Sequence, residues 1–78
     1  MNNQRRKELR KAMELLSEAR GIIESVRDEE QEAFDNLPEG IQCSSRGESM
    51  EEMISSMECA ISSLEDAEYD IEDDVINH

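Results

Sequence analysis

Aromatic residues are almost missing from this 78-residue chain, which has no Trp and only Phe34 and Tyr69. Any core must therefore be built from Leu, Ile, Met, Val and Ala. No apolar run is long enough for a signal peptide or a membrane span, which predicts a cytoplasmic protein that does not enter a membrane. Bases are scarce as well: 8 Lys and Arg stand against 21 Asp and Glu, for a formal charge of −13. Such a chain repels nucleic acid and anionic membranes and is drawn to basic surfaces. The two cysteines, Cys43 and Cys59, fit no metal-ligand spacing and read as free thiols in a reducing compartment.

Catalytic groupings are lacking too. The single His is the last residue, His78. The serines have no base partner at a helical spacing, and the carboxylates fall on outward helical faces rather than in a desolvating pocket. The chain reads as a non-enzyme with neither metal nor cofactor.

What the chain does have is a period. With Leu9 taken as heptad position a, the a column of the first half reads Leu9, Leu16, Ile23, Glu30 and Leu37. Its d column reads Ala12, Ala19, Val26 and Ala33. In the second half the a column is Met50, Met57, Leu64 and Ile71, and the d column is Met53, Ala60, Ala67 and Asp74. A repeat of this kind predicts coiled-coil helices and outweighs the disorder that high charge and low hydropathy would otherwise suggest.

The expected organisation is a single domain over 1–78, with helix 1 at about 3–35, a loop at about 36–47 and helix 2 at about 46–76. Pro38 disfavours helix at the residue before it. Ser45-Arg46-Gly47-Glu48 and Ser49-Met50-Glu51-Glu52 both carry the S-x-x-E capping-box pattern. An antiparallel two-helix hairpin follows from a register that sets Ile23 against Ala60, Ala19 against Leu64, Leu16 against Ala67 and Ala12 against Ile71, large against small. The same register sets Val26 against Met57 and Ala33 against Met50. It also brings the basic start of helix 1 to the acidic end of helix 2, with Arg10 near Asp73 and Lys11 near Glu72.

One Ala-rich seam is a small core for so short a chain. Apolar residues also lie beside it, among them Leu15 and Ile22. Met13, Phe34, Ile54, Ile61 and Val75 share the e columns, which in an antiparallel pair form one flank. That flank is expected to complete a homodimeric four-helix bundle or to dock on another protein.

Three features are candidates for recognition. From Glu48 to Asp74 there are eleven acids and no base. Glu51, Glu52, Glu58, Glu65, Asp66, Glu72 and Asp73 occupy columns b and c and line one outward stripe. Carboxylates on a rigid rod can occupy a groove shaped for phosphates; the competing explanation is a solvated face that keeps a coiled coil soluble. Arg20 and Arg27, one heptad apart in column e, are candidates for an anion or nucleotide ligand, or else for ion pairs with Glu24, Glu30 or Glu68. The long connection carries Leu37, Ile41 and Arg46, where Leu37 and Ile41 either cap the open end or, with Arg46, touch a partner.

The stretch Val26-Arg27-Asp28-Glu29-Glu30-Gln31-Glu32-Ala33-Phe34-Asp35-Asn36-Leu37-Pro38 resembles the helix-to-loop junction of small acidic helical proteins encoded in bacteriophages and prophages of Gram-positive bacteria. Ser45-Arg46-Gly47-Glu48 and the Met/Ile/Leu repeat after it look like their second helix. The resemblance implies no established activity. It does imply a bacterial host cell and, by context, an inhibitor of host or host-defence machinery that acts by direct binding. The leading expectation is therefore a non-catalytic inhibitor that offers its acidic face to a basic protein surface and does not itself bind nucleic acid. Sequestration of a small nucleotide by Arg20 and Arg27, and a structural adaptor using the apolar flank, are the alternatives.

Overall fold

The computed structural model describes residues 1–76, apart from the side chains of Asp74 and Ile76. The described residues form an all-helical rod of 58 × 16 × 13 Å. Helix α1 spans Asn3–Asp35, α2 spans Glu39–Gln42 and α3 spans Ser45–Tyr69, continued by a π-helical segment over Asp70–Ile76.

Each boundary has a local cause. Asn2 is extended, and its side-chain oxygen accepts from the Arg5 N–H at 2.8 Å, which caps α1. Pro38 ends α1, whose last turn tightens as the Leu37 N–H donates to the Phe34 carbonyl at 3.0 Å. The connection contains a short helix of its own. Pro38 starts the single turn of α2, its carbonyl accepting from the N–H groups of Ile41 and Gln42 at 2.9 and 3.0 Å. The Gln42 side-chain amide then donates to the Phe34 carbonyl at 3.0 Å and ties α2 to the end of α1.

Neither capping box forms. Ser44 is the N-cap of α3, yet its hydroxyl donates to the Ile41 carbonyl instead of accepting from the helix. Gly47 in the first turn of α3 is buried, and a Cβ placed there would run into the Gln42 carbonyl and lie 2.8 Å from the Gln42 Cα. Glycine is what lets the α2 backbone lie directly on α3.

Helix α1 packs along α3 and also touches the π segment. Arg20 reaches Glu68, and Phe34 shares a groove with Ile54, so numbers rise along one helix as they fall along the other. The seam is rotated from the one expected. Among the described residues, Ile54 and Ile61 are the two buried large apolar side chains, at 6% and 5% exposure, while Met53, Ala60, Val26 and Ala33 are exposed. Met13, Phe34 and Val75 are half-buried. The residues expected to form an outer flank therefore form the interior, and the large-against-small layers that used Ala60 and Ala33 do not.

Apolar area explains the rotation. Both stripes have coiled-coil spacing, but Met50, Ile54, Met57, Ile61 and Leu64 bury more hydrocarbon than Met50, Met53, Met57, Ala60 and Leu64. The π segment carries the buried row onward to the end of the helix. Ile71 and Val75 are accordingly half-buried, while Asp70, Glu72 and Asp73 are exposed.

Candidate protein-interaction surfaces

The rotated seam sorts the remaining columns onto two unlike edges. On one side of the Ile54 and Ile61 row stand Glu51, Glu58, Glu65 and Glu72, one per heptad. Here a groove of about 290 Å³ is lined by Gln31, Phe34, Glu51, Ile54, Ser55 and Glu58. Glu52, Asp66 and Asp73 lie further round, on the outer face of the rod, and Glu52 also lines the groove on the opposite edge. All seven acids of the expected stripe are exposed, and among the described residues none of them forms an ion pair.

The opposite edge is apolar, and the sequence reading missed it as a surface. Leu15, Ile22, Val26 and Met53 are 57%, 60%, 46% and 55% exposed. A groove of about 570 Å³ runs between the helices, lined by Val26, Glu30, Ser49, Glu52, Met53, Ser56 and Met57. The signal was present in the sequence: Leu15, Ala19, Ile22 and Val26 repeat at alternating spacings of four and three. Ala19 and Val26 also continue the column-a stripe as column d, which hides this second stripe.

Arg20 lies where the seam leaves column e without a large apolar residue. Its Nε and Nη2 donate to the two carboxylate oxygens of Glu68 at 2.9 and 3.3 Å, and its Nη1 donates to Glu24 at 2.7 Å. The hydrogen bonds to Glu68, and secondarily to Glu24, raise the guanidinium pKa above its ordinary value. Arg27 pairs with its neighbour Asp28 at 3.0 and 3.1 Å. Both arginines are thus engaged by carboxylates, against the idea that they stand ready for a phosphate. A phosphate at Arg20 would have to displace two bound carboxylates.

The remaining candidates are dispersed. Leu37 is half-buried at the end of α1, Ile41 is 37% exposed, and Arg46 is exposed in the first turn of α3. Cys43 and Cys59 are exposed free thiols. His78 lies outside the described residues. Arg10 and Lys11 line a shallow groove on α1 with Gln4, Lys7, Glu8 and Glu14, and the expected pairs with Asp73 and Glu72 do not form. Exposed pairs of long side chains gain too little to hold one geometry at a helix end.

Among the described residues no group of His, Cys, Asp and Glu is placed to hold a metal ion, and no helix is long and apolar enough to cross a membrane. No protein-family model matches the chain, and neither a curated protein nor a solved structure shows significant similarity to it.

Proposed function

We propose that this chain is a non-catalytic binding protein, an antiparallel two-helix coiled-coil hairpin completed as a homodimeric four-helix bundle. Its acidic edge docks on the basic groove of a nucleic-acid-binding protein and keeps nucleic acid out. In the phage setting that the sequence resemblance implies, the target is a host or host-defence protein.

The observation that carries this reading is the file of Glu51, Glu58, Glu65 and Glu72, exposed and, among the described residues, unpaired, beside a seam that keeps their spacing regular. Carboxylates already paired with lysines would have little to offer a partner. These have no base on their own helix beyond Arg46, and the chain carries a net charge of −13 to steer encounter with a cationic surface. Glu52, Asp66 and Asp73 carry the negative charge round to the outer face.

The test is a captured basic protein, identified by mass spectrometry from nuclease-treated lysate and then purified. Its binding should weaken steeply with salt and be competed by duplex DNA. Exchanging Glu51, Glu58, Glu65 and Glu72 together for Gln should abolish it with the helical circular dichroism unchanged. Binding that survives both the competitor and the fourfold substitution would end the acidic-edge reading.

A further inference from the structure

We infer that the homodimer of the preceding proposal, on which this inference rests, forms through the apolar edge, with α1 of one copy antiparallel to α1 of the other. The two-fold axis passes between Arg20 and Gly21. About that axis Leu15 stands opposite Val26 of the second copy, and Ala19 stands opposite Ile22. The four residues follow one helical stripe, and the pairing is self-complementary, as a two-fold interface requires. It also sets a large side chain against a small one at its centre, where Ala19 lets the helices approach closely.

The charges of α1 select the antiparallel direction. Arg5, Arg6, Lys7, Arg10 and Lys11 occupy its first third, and Asp28, Glu29, Glu30, Glu32 and Asp35 occupy its last. None of the five bases forms an ion pair within its own chain among the described residues. An antiparallel α1 pair lays each basic end along the other copy's acidic end, whereas a parallel pair would superimpose like charges. Glu51, Glu58, Glu65 and Glu72 stay on the far edge; Glu30 and Glu52 line the groove at the interface, where Glu30 stands opposite Lys11 of the second copy.

Surface area agrees with a second copy. The chain exposes 5696 Å². A compact monomer of 9.0 kDa exposes about 4,900 Å². The excess of about 800 Å² matches what each partner buries in a standard specific interface. The groove beside Val26, Met53 and Met57 is the place where Leu15 of the second copy would sit.

Sedimentation of the full chain at about 50 µM should show a dimer, and Ile22→Glu should weaken it by at least about a hundredfold. Ile22 is exposed in the single chain, so the variant keeps its helical signal. Geometry is read by cross-linking in a Cys43→Ser, Cys59→Ser background. Copies carrying Leu15→Cys should form disulfides with copies carrying Val26→Cys and not with one another, since the two Leu15 positions lie about 16 Å apart along the axis. A wild-type monomer would overturn both the homodimer and this interface. A dimer that tolerates Ile22→Glu, or one that cross-links Leu15→Cys to itself, would overturn this interface and leave the homodimer standing.

Discussion

Arg20 and Glu68 form a two-pronged ion pair across the α1–α3 seam, at 2.9 and 3.3 Å, in the column that elsewhere carries Met13, Phe34, Ile54 and Ile61. The pair is the consequence of the rotated seam. Turning the helices to bury Ile54 and Ile61 also turns Arg20 and Glu68 inward, and they satisfy one another there. A polar layer in an apolar seam favours one register over its neighbours, because a slip of one turn would take Glu68 from Arg20 and leave Arg20 only Glu24 of its own helix.

Replacing Arg20 by Ala should therefore lower the thermal midpoint more than replacing Arg27, whose partner Asp28 is its own neighbour in sequence. Arg20 has its pKa raised by Glu68 and Glu24. Its contribution is present in full below the ordinary arginine value and is lost only as pH rises through the raised one. The difference in midpoint between wild type and Arg20→Ala should thus be the same at about pH 7 and about pH 9. Thermal melts followed by circular dichroism give both comparisons, and an equal effect of the two substitutions would argue against the cross-helix pair.

The placement of the seam is tested by Ile61 and Met53. Truncating buried Ile61 to Ala should cost about 2–5 kcal/mol, as for other core isoleucines. Met53 is 55% exposed, and Met53→Ala should cost the single chain much less. Urea unfolding of both variants, on an Ile22→Glu background that keeps the chain monomeric, separates the two seams. The opposite ranking would restore the seam through Met53 and Ala60.

Gly47 should not tolerate a side chain. The added methyl of Gly47→Ala meets the Gln42 backbone rather than a movable side chain, so α2 must shift. Overpacking of this kind costs about 1–3 kcal/mol. The loss should appear in denaturant midpoints, with amide exchange quickening around Ile41 and Gln42.

Gly21 should behave in the opposite way. It lies in the interior of α1, is exposed, and a Cβ there meets nothing within 4 Å. Gly21→Ala should stabilise the chain by about 0.5–1 kcal/mol through the entropy of the unfolded backbone. A destabilised variant would show that something packs on this face in solution.

The all-helical class was legible because apolar residues recur at alternating spacings of three and four from Leu9 to Leu37, broken only at Glu30, and from Met50 to Ile71, and that period belongs to helices alone. Pro38 marked the end of α1 for a purely local reason. Local rules misled at the start of α3, where two S-x-x-E patterns promised a capping box. There Ser44 turns its hydroxyl back to Ile41, and Gly47 owes its place to contact with Gln42, a residue of α2.

Which face meets which could not be read from one helix at a time. Columns d and e both continue the stripe begun by column a, so periodicity permits either seam. The choice depends on the area two facing helices bury together, and the sum over both favours Met13, Phe34, Ile54 and Ile61 over the alanines. By itself the sequence determined two long amphipathic helices, their break near Pro38 and a strongly acidic second half. Tertiary packing alone decided that Arg20 meets Glu68, that Glu51, Glu58 and Glu65 stand along one edge, and that Leu15, Ile22 and Val26 are left facing water. The physical reason is that burial is a property of pairs of surfaces, whereas a period is a property of one.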